Sequence, residues 1–344
     1  MAEEKENMDE KNEAPAAVIH VAPGPHLQDA SLSTRRMMVD VLIGLAPLMV
    51  AAVVVFRMAA VVQVALCVFC CMVTEAVFTA MRRKPFSLAD CSAIVTGVIL
   101  AFSLPWNSPW HVTIIGSVMA IALGKAIFGG LGFNLFNPAM VGRAFVMLAF
   151  SAAMAAPAFV NNNIDHLNPV FSLLGVDADV ISSATPMTAF KEQGIGANWL
   201  RLFLGNTNGS IGETSALACL VGGLYLCIRK TASWQIPAGS IVAAGGIAAA
   251  LAIFKHDPGL VGQHVLGGAL LFGAFFIATD PVTSPITPRG KFIFGLAFGA
   301  LVMFIRLFSG YPEGVMFSVL LANAISPLIN RWTVPKPVGG IVEK

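Results

Sequence analysis

Charge is scarce in this chain. Of 344 residues only 12% are Asp, Glu, Lys or Arg, against about 25% in an ordinary globular domain. The hydrophobic fraction is 56% and the mean hydropathy +0.77, which excludes a soluble enzyme and predicts a polytopic membrane protein. The net charge of +2 gives no footing for a nucleic-acid partner. The six cysteines, Cys67, Cys70, Cys71, Cys91, Cys219 and Cys227, lie within apolar runs and do not form the spaced framework of a secreted disulfide domain. Cys67, Cys70 and Cys71 read as small apolar packing residues rather than cluster ligands. There is no HExxH, no doubled Cys-x-x-Cys set, no phosphate loop with its Lys and no hydrolytic triad. Zinc hydrolysis, iron–sulfur chemistry and nucleotide binding by this chain alone are thereby set aside, and no metal site is expected.

What is present is apolar sequence in long blocks. Residues 1–38 open with "MAEEKENMDEKNEAPAA", a mixed-charge stretch too poor in apolar residues to offset its ordering entropy. It has no apolar run placed like that of a cleavable signal peptide. Runs able to cross about 30 Å of hydrocarbon follow near 39–56, 59–80, 88–105, 111–128 and 136–156. A polar stretch over 157–212 contains "VISSATPMTAF", and runs resume near 213–228, 233–253, 262–279, 291–309 and 315–330. The expectation is an all-α polytopic membrane protein with about ten transmembrane helices. Its parts are a tail (1–38), five helices (39–156), a long loop (157–212), five more helices (213–331) and a second tail (332–344).

Basic residues set the orientation. One side collects Arg35, Arg36, Arg82, Arg83, Lys84, Lys125, Arg229, Lys230, Arg289, Lys291 and Arg331, while the other has Arg57, Lys191, Arg201, Lys255 and Arg306. The positive-inside rule then places both termini in the cytoplasm and the 157–212 loop outside. "AIVTGVILAFSLPWNSP" (93–109) aligns without a gap on "ALLFGAFFIATDPVTSP" (269–285), matching Gly97 to Gly273 and Pro105 to Pro281. Five spans followed by five must be inverted, and inverted repeats with broken helices put binding sites at the repeat interface.

Several residues carry two readings. Asn134 and Asn137, beside Pro138 in "GGLGFNLFNPAMVGRAF", can offer amides to a ligand in a helix break or can cap the fifth helix. Asp280 in "ATDPVTSP" is an N-cap for the next segment or an acidic gate on an ion path. Glu213 stands three residues after Ser210, a capping-box spacing, and capping is the preferred reading there. Glu213, Asp90 and Arg143, with Glu75, are candidates for an ion path because ionisable groups within apolar spans are functional by default. His111 and His264 fall near span ends, where an amphipathic ring is comfortable at the interface.

"GPHLQDASLSTRRMM", "CSAIVTGVILAFSLP", "GGLGFNLFNPAMVGRAF", "SSATPM", "GETSALACLVGG" and "ATDPVTSP" together resemble the RnfD family of Rnf-complex membrane proteins, over about residues 24–331. The related NqrB component of the sodium-pumping NADH:quinone reductase shares several of them. The resemblance implies FMN esterified through its phosphate to Thr185 by a flavin transferase, with Ser182 and Ser183 supplying small surroundings. Ser183 departs from the Gly usual in that motif. It also implies a non-covalent riboflavin near Asn134 and Asn137, and other Rnf subunits as partners for nicotinamide and ferredoxin chemistry. The expected setting is a bacterial cytoplasmic (inner) membrane, in contact with lipid, where electron transfer drives Na+ or H+ across. Readings kept open are the quinone-reducing relative and, from another class, a solute channel or secondary transporter. The residues leave the coupling ion undecided.

Overall fold

The computed structural model describes residues 33–83, 88–154, 186–193, 199–204, 209–311 and 313–335. Among them every regular element is helical. In chain order the helices are α1 (Thr34–Phe56), α2 (Met58–Met81), α3 (Ser92–Ser103), α4 (Trp110–Ala126) and α5 (Pro138–Ala149). Within the 157–212 stretch are two short helices, α6 (Pro186–Gln193) and α7 (Trp199–Leu204), and after it come α8 (Ala216–Ile228) and α9 (Gln235–Lys255). The chain finishes with α10 (Gly259–Leu266), α11 (Leu270–Ile277), α12 (Pro288–Phe308) and α13 (Val315–Thr333).

Counting the bent α10–α11 pair as one, ten apolar segments lie where ten spans are predicted, but their lengths differ from the expectation. Four helices, α1, α2, α9 and α12, are long and apolar enough to cross a membrane, and α10 with α11 makes a fifth, bent by 50°. The 12 residues of α3 and of α5 cover about 18 Å each at 1.5 Å per residue, well short of a hydrocarbon core. The cause is local. α3 ends before Pro105 and Pro109, and α5 starts at Pro138, whose missing N–H is harmless at a helix's first position. Helices α4 and α11 both end in a π-helical turn, Ala122–Ala126 and Gly273–Ile277. Such turns are often found at functional sites.

Backbone contact at small residues holds the bundle together, as expected where water cannot drive association. A Cβ at Gly222 on α8 would overlap the Gly44 carbonyl on α1, and one at Gly299 on α12 would overlap the Ser240 carbonyl on α9. Between these helices lies one large core that includes Phe56, Phe102, Phe272, Phe294 and Phe298. All six cysteines are free, with Cys67, Cys71 and Cys219 buried.

Two ends of the bundle can be told apart by connectivity. The α2–α3, α4–α5, α8–α9 and α11–α12 connections share one end, called inner after the orientation the basic residues predict. The α1–α2, α3–α4, α9–α10 and α12–α13 connections share the other, the outer end.

Candidate functional site: an inner cleft and an outer charge cluster

The inner end holds a cleft between the two halves of the chain. Its walls include Met38 and Val41 of α1, Ser92 and Thr96 of α3, Lys125 of α4, the α4–α5 connection with Asn134 and Asn137, and Phe276, Thr279 and Asp280. The structure thus brings Asn134, Asn137 and Asp280 together from positions about 140 residues apart. The cavity volume is about 80 Å³ within a wider open concavity of about 780 Å³. The enclosed part has room for a few waters, so a tricyclic ring would have to use the open mouth.

The two asparagines separate into different roles. Asn137 Oδ1 accepts from Ala139 N at 3.1 Å and Met140 N at 3.4 Å, which makes it the N-cap of α5. Its Nδ2 crosses to the Ile277 carbonyl at 3.4 Å, tying α5 to the end of α11. Asn134 Nδ2 donates locally to the Phe136 carbonyl at 3.3 Å, and its buried Oδ1 has no donor among the described residues. An acceptor left bare in a cleft wall fits a ligand that brings an N–H or O–H.

Asp280 Oδ1 accepts from Val282 N at 3.1 Å and Oδ2 from Thr283 Oγ1 at 3.3 Å, closing the turn after α11. It is not the cap of α12, a position taken by Thr287 through Gly290 N. Asp90 accepts from Ser92 N and Ser92 Oγ at 2.8 and 2.6 Å, fixing the start of α3.

Beside the cleft a buried ion pair appears that sequence reading missed. Lys125 Nζ meets Glu75 Oε1 and Oε2 at 2.7 and 2.8 Å and Ser92 Oγ at 2.5 Å. Lys125, counted from sequence among the basic residues of one side, does not face out there: it lies in the π turn of α4 and is 3% exposed. Asp40 is buried on α1 and receives Tyr225, Arg229 and Thr231 from the second half.

At the outer end the structure pairs Arg143 with Glu213, at 3.8 Å. The capping-box reading of Glu213 is corrected, because α8 begins at Ala216 and its cap is Ser215, which accepts from Ala218 N at 3.2 Å. Glu213 instead closes a 3-10 turn, Ile211–Glu213, whose first N–H bonds the Leu104 carbonyl. Arg306, counted from sequence among the basic residues of the other side, is 3% exposed and donates to the carbonyls of His264 and Gly267 at the α10–α11 break. His264 is likewise buried against Phe190 rather than interfacial, since α6 covers it. His111 is exposed at the start of α4. Thr185, Ser182 and Ser183 lie outside the described residues, as do most of the tails and of the 157–212 loop. The helix that follows Thr185 directly, α6, is held by Lys191, which bonds the carbonyls of Ser309 and Tyr311.

The pattern of the NQR2, RnfD, RnfE family matches residues 20–339. The chain belongs to that family. It is 40% identical over 327 residues to the D subunit of the Na(+)-translocating ferredoxin:NAD(+) oxidoreductase complex of Acetobacterium woodii, covering 93% of this chain and 95% of that protein. To the D subunit of the Proton-translocating ferredoxin:NAD(+) oxidoreductase complex of Clostridium ljungdahlii it is 39% identical, covering 94% and 96%. To the D subunit of the Ion-translocating oxidoreductase complex of Actinobacillus succinogenes it is 37% identical, covering 92% and 96%.

Proposed function

We propose that this chain is the flavin-bearing membrane subunit of an Rnf-type, ion-translocating ferredoxin:NAD oxidoreductase. The observation that carries the reading is likeness over nearly the full length to relatives that bear that complex's name. Two flavins complete the reading, FMN esterified to Thr185 with Ser182 and Ser183 beside it, and riboflavin held non-covalently at the inner cleft. The bare Oδ1 of Asn134 supports the second site, and Asn137 holds that wall in place as cap and strut. When bound, a flavin supplies reversible electron transfer that no side chain of this chain provides. The protein's part is to place donors and acceptors, exclude water and keep charge nearby.

The fold belonging to this reading has ten spans as two inverted five-helix repeats, 39–156 and 213–331. Three observations support the repeat. Helix α2 packs on α4 as α9 packs on α12, and α4 on α5 as α12 on α13. In addition, the alignment of 93 with 269 sets Ser92 opposite Gly268. Lys125 of α4 bonds Ser92, and Arg306 of α12 bonds Gly267, so a buried cation touches the start of the half-helix in each half. Removing Lys125 and Arg306 from the count of basic residues takes one from each side, and the bias that puts both termini in the cytoplasm and the 157–212 loop outside persists. The setting is a bacterial cytoplasmic membrane, with other Rnf subunits as partners and a flavin transferase for maturation. The bent α10–α11 span also suits a solute transporter, which has no use for a flavin.

The test is deletion of this chain from a bacterium that carries the complex. Membrane vesicles should lose ferredoxin-driven NAD+ reduction and the cation uptake coupled to it. Persistence of both in the deletion strain contradicts the proposal.

A further inference from the structure

A second cavity opens at the outer end and shares no lining residue with the inner cleft. It lies between α6, the end of α9, α10 and the end of α12, with a volume of about 550 Å³ inside a wider concavity of about 1220 Å³. That is the size of a small-molecule pocket, which spans about 300–1,000 Å³. Met187, Phe190, Leu251, Leu260 and Leu307 give it an apolar lining. The Phe190 ring stands edge-on to His264, with centroids 5.6 Å apart, a corner against which a ligand's apolar body can pack.

The polar lining points to an anion. Lys191, Lys255 and Arg306 stand against Asp257, the one acid among the described lining residues, and Asp257 Oδ1 already accepts from Gly259 N at 2.8 Å. Two of the cations are partly engaged. Lys191 donates to the carbonyls of Ser309 and Tyr311, and the terminal nitrogens of Arg306 donate to those of His264 and Gly267. Two lining side chains nevertheless keep an unused nitrogen. Arg306 Nε–H has no acceptor, and His264 Nδ1 has no partner, among the described residues, although the side chains are in residues only 3% and 4% exposed. A bare buried donor beside a cavity suits a ligand that brings the acceptor. Glu313, which meets Arg306 over Gly268, does not line the cavity and so does not cancel this field within it. Lys255, exposed at the end of α9, sets a further charge at the rim.

We propose that this outer pocket binds a phosphate ester with an apolar body, the anion against Lys255 and the Nε–H of Arg306 and the body against Phe190 and the leucines. The site goes beyond the relay reading and does not depend on it. Two sources carry that chemistry. One is the phosphoester-linked flavin of the relay reading, attached at Thr185, the residue before α6; the other is a free phosphate lipid of the membrane.

The experiment uses the whole complex with full-length chain carrying Thr185→Ala, free FMN as a soluble phosphate-ester probe, and riboflavin as its phosphate-free control. Binding is read from flavin fluorescence. FMN should bind saturably, and riboflavin roughly tenfold more weakly, the loss of one charge-assisted contact. Lys255→Gln should weaken FMN roughly tenfold and leave riboflavin unchanged, whereas Leu307→Trp, which fills the cavity and removes no charge, should weaken both. Both replaced side chains are exposed, so the fold is kept. Absence of saturable FMN binding, equal affinity for FMN and riboflavin, or an FMN affinity that neither substitution lowers overturns the site. The wild-type complex then separates the sources. Refusal of free FMN by a complex bearing covalent flavin assigns the pocket to that flavin, and uptake equal to that of Thr185→Ala assigns it to a phosphate lipid, which solvent extraction should recover. A wild-type complex without covalent flavin defeats the relay reading alone, and the FMN titration still decides the pocket.

Discussion

Lys125 and Glu75 face each other within the first half of the bundle, the ammonium reaching both carboxylate oxygens at 2.7 and 2.8 Å. Its remaining proton goes to Ser92 Oγ. Breaking one side of such a pair strands a buried charge, at a cost of about 3–5 kcal/mol, whereas replacing both partners by apolar residues of similar size is often neutral. Lys125→Met should therefore lower the thermal stability of the detergent-solubilised protein sharply, and Lys125→Met with Glu75→Leu should recover most of it. Equal loss in the single and double variants would contradict this pairing.

The asparagines of the cleft should part company on mutation. Asn137→Leu removes a helix cap and should cost about 1 kcal/mol of stability. Asn134→Leu removes an acceptor that none of the described residues uses and one local bond to the Phe136 carbonyl, so stability should fall little while acid-extractable riboflavin falls. Extraction of wild-type amounts of riboflavin from a folded Asn134→Leu complex would remove Asn134 from the flavin site.

Asp280→Asn keeps an oxygen for Val282 N, loses the charge, and replaces the oxygen that accepts from Thr283 Oγ1 by an NH2 that can donate to it. The turn should survive, flavin content should stay near wild type, and cation-coupled turnover should slow. Turnover at the wild-type rate would leave Asp280 with the turn alone.

Much of this architecture is legible in the residues, and the exceptions have physical causes. Apolar runs locate every segment, because nothing else fits in hydrocarbon. Their lengths mislead, since Pro105, Pro109 and Pro138 cut helices inside apolar sequence that hydropathy reads as continuous. Sequence groups Asn134, Asn137 and Asp280 as candidates but cannot bring the last to the first two, a contact made through the Ile277 carbonyl. Lys125 and Arg306 enter the count of basic residues that mark the two sides, because a charge near the end of an apolar run looks the same whether it faces water or a partner. Glu313 passes unnoticed in "SGYPEG", where an acid in a turn gives no signal, and only the fold brings its carboxylate to Ala269 N at the α10–α11 break.

Gly222 sits against the Gly44 carbonyl with no room for a side chain. Gly222→Val should separate α1 from α8, costing about 1–3 kcal/mol as overpacking does and reducing the amount of assembled complex in the membrane. Unaltered assembly and melting temperature would show that the two helices can part without loss.

The most direct measurement concerns Thr185, with the chain co-produced with a competent flavin transferase. After denaturation and electrophoresis the wild-type chain should fluoresce as a flavin band, because an ester link to phosphate survives detergent and heat that release bound cofactor. Thr185→Ala should lose the band, having no oxygen to esterify, and Thr185→Ser should keep part of it. Ser183→Gly should raise occupancy if that position needs a positive φ. A wild-type chain with no fluorescent band, or an undiminished band in Thr185→Ala, would contradict the relay and favour a transporter.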